Sequence, residues 1–186
     1  MRARPCLPDV AVILMIAALG GATMNSSSVT AATSGPEILL SMNQSDQGAI
    51  KVGADARGIP LEVDALGQVA DRAGGRRVYL VLDDVQAKQP PGILYDVFLD
   101  TKVIGLADAN RPQPVGHLNF YELKKRLLSF DVTDRLERLA AQGPSGRTLV
   151  VTIAPALGER TTLNAKQQRE LNEAGVTLSR VRLVGQ

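Results

Sequence analysis

Histidine and cysteine, the residue types that most often ligate transition metals, occur once each in this chain, as His117 and Cys6. Zinc, copper and iron sites usually draw several ligands from these two types, so the sequence predicts no metal centre and no cofactor. A Ser-His-Asp or Cys-His device would have to use His117 as its base. On an alternating strand His117 falls on the outward face, where simple solvent exposure is the favoured interpretation.

Carboxylates and a loop serine offer two further kinds of site. Asp83 and Asp84 could join Asp96 and Asp100 as oxygen ligands of a calcium ion if their two strands are neighbours. Their spacing is not that of an EF-hand loop, so a solvated face with strand-end turns is favoured. Ser145 lacks the Gly-x-Ser-x-Gly pattern of a nucleophile elbow and is predicted to lie in a turn. We therefore expect no catalytic residue, and a protein that is not an enzyme.

The composition of the 186 residues is that of a globular chain with one core, at 45% hydrophobic and 22% charged residues. Aromatic residues make up only 3% and there is no Trp, which disfavours surfaces that stack sugars or bases. The net charge is +2 and the basic residues form no stripe, so we expect no nucleic-acid partner.

The first residues have the three parts of a secretory signal: arginines at positions 2 and 4, an apolar run over 10–22, and a small polar stretch. We predict a signal peptide over 1–32, cleaved after Ala31 or Ala32, with Ala22 as the alternative site and a linker over 33–37. An uncleaved anchor is the other interpretation. Cleavage predicts an exported protein, periplasmic or extracellular, with no stable membrane insertion and no cysteine left.

Short apolar runs separated by Gly, Pro, Asn and Asp follow over 38–186, a pattern typical of a many-stranded β domain. Strands are predicted at 38–43, 49–52, 59–63, 76–82, 93–99, 115–121, 148–154 and 176–184. In the last of these, Val181 and Leu183 should point inward and Arg180 and Arg182 outward.

Two helical segments complete the prediction. The first covers 133–142, with Thr133 as its N-cap and Gly143 as its stop, and the second covers 164–174, with Leu171 as its one apolar residue. Many strands and few helices predict a mainly β fold, an antiparallel β-sandwich of Greek-key or jelly-roll type with one or two short helices.

The order of these segments is similar to the C-terminal β-sandwich domain of polyphenol oxidases and related tyrosinases, over about Ile38 to Val184. The family's Lys-Phe-Asp-Val-type strand resembles 94–100, where Asp96 and Val97 match, the leading Lys does not, and Tyr95 and Phe98 flank the matched pair. A Gly-Ser-Phe-type strand of the family resembles 116–120, with Gly116 and Phe120. Later segments resemble 130–139, 150–155 and 176–183.

The departure from the family is larger than the match, because its copper chemistry needs six histidines on a helical core that this chain lacks. The resemblance therefore implies the role of the C-terminal domain, which packs over the oxidase's active-site entrance and shields it. A separately encoded copy would be a non-catalytic accessory, shielding or maturation subunit of a tyrosinase-like copper oxidase. The alternative is a free-standing extracytoplasmic binding or structural module with no oxidase partner.

Such a cap needs an apolar loop tip, and the loop over 100–114 carries Val103, Ile104 and Leu106 among polar neighbours. Exposed apolar residues on a polar loop are typical of a partner contact, so these three are the predicted contact residues. The alternative is that they fold back onto the sandwich.

Overall fold

Ten strands and two helices are described in the computed structural model, which covers residues 38–44, 48–63, 66, 69, 75–108, 110–121, 126–142, 148–158 and 162–186. All of them belong to one compact unit, Ser34–Gln186. The predicted signal and linker, Cys6 and Ser145 lie outside the described residues. The strands are β1 Ile38–Gln44, β2 Ile50–Val52, β3 Arg57–Glu62, β4 Val78–Val85, β5 Tyr95–Asp100, β6 Gly116–Leu118, β7 Arg126–Asp131, β8 Thr148–Pro155, β9 Val176–Leu178 and β10 Arg180–Gly185.

Every strand pair is antiparallel, and the strands form three sheets. The first sheet has the order β1-β10-β4-β7, the second has the order β3-β8-β5-β6, and β2 and β9 form a small sheet. The first two sheets enclose a common apolar core, to which almost every described strand contributes alternate side chains. The predicted antiparallel β-sandwich is confirmed.

Both edges of the sandwich are joined by specific contacts between the sheets. On one side the Ser41 hydroxyl of β1 donates to the Glu62 carbonyl of β3 at 2.5 Å. On the other side the Phe130 ring of β7 lies against Gly116 of β6, where an added Cβ would meet Phe130 Cδ1 at 2.1 Å. Gly116 is thus a position where the two sheets approach each other closely. It belongs to a segment that resembles the polyphenol oxidase family.

The predicted last strand, 176–184, is divided in two at Ser179. Its backbone N–H donates to the Asp83 carbonyl at 3.0 Å, and the chain passes there from the small sheet into the first sheet. The predicted alternation holds beyond the break, since Val181 and Leu183 are fully buried while Arg180 and Arg182 are only partly buried.

The helices are α1, Thr133–Ala141, and α2, Ala165–Glu173. The predicted cap at Thr133 is wrong: Thr133 is the first helical residue, and its hydroxyl donates to Asp131 at 2.7 Å and accepts the Val78 N–H at 2.9 Å. In α2 the Asn164 side chain accepts the Gln167 N–H in a capping box. Neither helix, nor any other helix in the described ranges, is long and apolar enough to cross a bilayer.

Tyr95 lies at the centre of the core and meets Phe120 edge to face, with ring centroids 6.0 Å apart. Its hydroxyl is buried without a hydrogen-bond partner. Burial raises the pKa of Tyr95 to about 12. A polar group in this position costs free energy that a phenylalanine would not.

The change Tyr95→Phe is therefore expected to leave the free energy of unfolding unchanged or to raise it by about 1 kcal/mol. Urea unfolding followed by circular dichroism measures this. Because the folded pKa is raised, the stability tied to this phenol is present below pH 10 and declines as the pH rises towards about 12. That alkaline decline should be smaller in the variant. A loss above about 1 kcal/mol at pH 7 would show that the hydroxyl has a partner.

Candidate functional site

The residues singled out in the sequence converge on β5, the strand in the middle of the second sheet. Its inward side chains, Tyr95, Val97 and Leu99, are buried in the core. Its outward side chains, Asp96, Phe98 and Asp100, face the loop over 101–114, which folds across the sheet. We call residues 101–114 the strap.

Ile104 fixes the first half of the strap. It is only 2% exposed and packs with Phe98 and Ala154 in a small apolar cluster, against which Leu106 is partly buried. The Ile104 N–H donates to the buried Thr152 hydroxyl at 3.1 Å. The expectation that Ile104 and Leu106 form an exposed tip is therefore corrected: they fold back onto the sandwich, because small residues on β8 leave room for them.

Val103 is the one predicted contact residue that stays largely exposed, at 52%. Part of its side chain rests on Gly58 of β3, where an added Cβ would lie 2.5 Å from Val103 Cγ2. The remainder faces solvent. A partner that touches this part of the strap would meet Val103 and not the two residues beneath it.

Arg111 fixes the second half of the strap. Its guanidinium carbon lies 4.8 Å from the centroid of the Phe98 ring, a cation–π contact. Its Nη2 lies 3.8 Å from Asp96 Oδ2, within ion-pair range but too far for a hydrogen bond. Nε and Nη2 are both buried without a hydrogen-bond partner. The strap is thus held by stacking and charge, while two buried donors weaken its attachment.

His117 lies opposite Asp96 on the neighbouring strand, and its Nδ1 is 2.8 Å from Asp96 Oδ1. The predicted outward position is confirmed, yet the ring is not simply solvated, because the carboxylate orients it. Within the described residues no hydroxyl or thiol hydrogen-bonds to this imidazole. The pair has the base and orienting acid of a catalytic device but not its nucleophile.

The four carboxylates considered as calcium ligands do not gather at one place, in line with the favoured interpretation, in which they form no calcium site. Asp83 is buried and bonds Arg180 Nε at 2.7 Å and Arg182 Nε at 3.1 Å. Asp84 occupies a bulge of β4 with a left-handed φ of 59°. The other two carboxylates face the strap, with arginine neighbours. Among the described residues no group of three or more His, Cys, Asp or Glu is placed to hold a metal ion.

A cleft of about 640 Å³ opens where the end of the strap meets the start of α1. Arg135 forms one wall and ties α1 to the end of β5, donating to the Leu99 carbonyl at 2.8 Å and to Asp100 Oδ2 at 2.5 Å. Arg77 and Asp131 form the other wall, 3.0 Å apart. Each wall thus pairs an arginine with a carboxylate.

The pKa of Asp131, a carboxylate of this cleft, is displaced from its ordinary value. Burial alone would raise its pKa, but hydrogen bonds from the Thr133 hydroxyl and backbone N–H, together with the charge of Arg77, outweigh burial. The pKa therefore lies below its ordinary value of 3.8. Asp131, two residues before α1, thus takes over the acceptor role predicted for Thr133.

In the Asp131→Asn variant, the free energy of unfolding is expected to fall less steeply with decreasing pH in the acid range than in the wild type. Because the folded pKa is lowered, this carboxylate stabilises the fold above pH 3.8, and the contribution is lost as the pH falls through the folded-state pKa. Urea unfolding between pH 2 and pH 6 measures the slopes. Equal slopes in wild type and variant would contradict this role.

A second surface feature lies at the opposite end of β5. A groove of about 160 Å³ is lined by 90–94 and by 119–121, and we call it the edge groove. Tyr121 stands at its rim, 89% exposed, beside the exposed Leu94. The Asn119 side chain accepts the Tyr121 N–H at 2.9 Å and so fixes the backbone that carries the ring. The groove presents an exposed aromatic side chain beside an apolar floor.

Sequence reasoning missed Arg111 and Tyr121 as residues of interest. For Tyr121 a signal existed: the alternation that places Leu118 and Phe120 inward and Asn119 outward places Tyr121 outward as well. For Arg111 there was none, because its neighbours Asp96 and Phe98 come from another segment of the chain.

No family model and no curated protein matches this sequence. Solved structures that are distantly similar to it include two of a polyphenol oxidase. One is a recombinantly expressed latent aurone synthase, a polyphenol oxidase, with a TM-score of 0.48 and 13% identity over 77% of this chain. The other is latent aurone synthase from its natural source, with a TM-score of 0.47 and 13% identity over 77% of this chain. The chain spans about a quarter of their length, 27% and 26%.

Proposed function

We propose that this chain is a non-catalytic, exported β-sandwich that serves as an accessory, shielding or maturation subunit of a tyrosinase-like copper oxidase. The partner class rests on the sequence resemblance over 94–100 and 116–120. The binding role rests on surface geometry. Among the described residues no hydroxyl or thiol bonds to the His117–Asp96 pair, which favours a binding role over catalysis.

The observation that carries the proposal is the edge groove. Tyrosine is among the residue types that contribute most to protein interfaces, because its large ring buries apolar area and its hydroxyl can still bond a partner. An almost fully exposed tyrosine on a fixed backbone, beside Leu94 and a proline-lined floor, has little conformational freedom to lose on binding. We take this groove as the principal contact and Val103 of the strap as a separate, minor one.

Affinity capture tests the proposal. The wild-type chain is used as bait in a native extract of its source organism, and the retained material is assayed for copper and for catechol oxidation. Tyr121→Asp and Leu94→Asp are expected to lower the retained oxidase at least about tenfold, as for residues at the centre of an interface.

Leu127→Asp is the matched control. Leu127 is also an exposed apolar residue, at 62%, but it lies on β7 in the first sheet and does not line the edge groove. This variant should retain oxidase as well as the wild type does. If the wild-type chain retains neither copper nor catechol oxidation, the accessory role is wrong and the free-standing module remains. If Leu127→Asp loses the oxidase as fully as Tyr121→Asp, the contact lies elsewhere.

A further inference from the structure

A cleft of about 470 Å³ lies at the small sheet and shares no lining residue with the edge groove. One wall is the turn from β2 to β3, the second is Lys88 after β4, and the third is the end of α2 with the start of β9. We call it the basic cleft. Its lining residues are Lys51, Val52, Gly53, Ala54, Asp55, Ala56, Arg57, Lys88, Asn172, Gly175, Val176 and Thr177.

The turn between β2 and β3 is held against α2 by one side chain. Asn172 Oδ1 accepts the Ala54 N–H at 3.0 Å. It can approach because residue 53 is glycine, where an added Cβ would lie 2.4 Å from that oxygen. Lys51 pairs across the small sheet with Thr177, so the first wall is fixed on both sides. The cleft is therefore a preformed feature of the fold.

Lys88 reaches the cleft across the end of α2. Its aliphatic stem lies over Gly175, where an added Cβ would meet Lys88 Cδ at 2.9 Å. The backbone N–H groups of Lys88 and Gln89 both donate to the Ala174 carbonyl, at 2.8 Å and 3.4 Å. These bonds offset the partial negative charge that the C-terminal end of α2 would otherwise direct into the cleft.

The lining charges are strongly unequal. Among the described lining residues, Lys51, Arg57 and Lys88 are cations and Asp55 is the only acid, so three positive charges against one negative give these residues a net charge of +2. In the described part of the chain no salt bridge neutralises any of these three cations. A concave surface of one sign concentrates ions of the opposite sign.

We propose that the basic cleft binds a small soluble ligand through a multiply charged oxyanion of the phosphate class. Two of the three cations are lysines, whose ammonium groups act as point charges and suit a compact tetrahedral anion. No aromatic side chain lines the cleft, so nothing is present to stack a base or sugar ring. Recognition is by charge, and the organic part of the ligand contributes little. This site is independent of the proposed oxidase contact.

Calorimetric titration of the full chain with pyrophosphate, at low and constant chloride, tests the proposal. We expect saturable binding at one site. Lys51→Gln and Lys88→Gln should each weaken it about two- to fivefold, as for single ion pairs near solvent. The variant that combines both changes with Arg57→Gln should weaken it more than about tenfold. Asp55→Asn should tighten binding about twofold by removing the repulsion.

Lys102→Gln is the matched control, since Lys102 is an exposed lysine on the strap and outside the cleft. Unchanged affinity in this variant supports a defined site. Three results would overturn the proposal: no saturable binding of pyrophosphate, weakening by Lys102→Gln as large as that by Lys88→Gln, or citrate binding as tightly as pyrophosphate. All five substituted side chains are exposed, and the circular dichroism spectrum of each variant should match that of the wild type.

Discussion

Replacing Phe98 by alanine is expected to lower the free energy of unfolding by about 4 kcal/mol, because a buried aromatic ring is lost and a cavity remains. Phe98 is buried between the second sheet and the strap, where it contacts Ile104, Ala154 and the Arg111 guanidinium. The ring is therefore the surface on which both halves of the strap rest.

A local measurement separates loss of the strap from general destabilisation. The Ile104 amide, bonded to Thr152, should exchange with deuterium much faster in Phe98→Ala than in the wild type. For amides in β4 and β10, the exchange rate should change only as much as the change in global stability requires. Phe98→Leu is the control and should lower the free energy of unfolding less than Phe98→Ala does, since leucine keeps most of the side-chain volume. If Phe98→Ala lowers the free energy of unfolding by less than about 1 kcal/mol and the Ile104 amide stays protected from exchange, the strap does not depend on this ring.

The second large effect is expected from replacing Asp83 by alanine, which should lower the free energy of unfolding by about 3 kcal/mol. Its carboxylate is buried on the first sheet and holds two arginines of β10, while its backbone carbonyl receives the Ser179 N–H at the break between β9 and β10. Removing the acid takes away the negative charge that Asp83 supplies to Arg180 and Arg182 in a partly buried site. Chemical unfolding measures the cost.

Replacing Asp83 and both arginines by apolar residues tests whether the lost stability comes from uncompensated charge. In the variant that combines Asp83→Leu with Arg180→Met and Arg182→Met, no charge remains to be buried, and most of the lost stability should return. If Asp83→Ala is as stable as the wild type, the buried ion pairs do not stabilise the first sheet. If the combined variant is no more stable than Asp83→Ala, the loss comes from packing and not from uncompensated charge.

The sandwich could be predicted from the sequence because its strands are local patterns. The alternation of Val181 and Leu183 with arginines, or of Tyr95 and Val97 with Asp96, is set by the two-residue period of a strand. The break at Ser179 could not be predicted in this way. It depends on the Asp83 carbonyl, which lies almost a hundred residues earlier in the chain.

The strap shows the same limit. An apolar group such as Val103 and Ile104 in a polar loop is compatible with an exposed tip or with a buried cover. The choice is made by small residues on other strands, Gly58 and Ala154, which leave space on the outer face of the second sheet. The sequence of the loop itself does not show that this space exists.

The most direct test of the proposed accessory role is the catechol oxidation rate of the captured material, measured before and after this chain is stripped from it by mild detergent. We predict that copper is retained with the chain and that the rate rises when the chain is removed, as expected for a domain that shields an oxidase. Material without copper, and without catechol oxidation in either state, would contradict the role of this protein as an oxidase subunit.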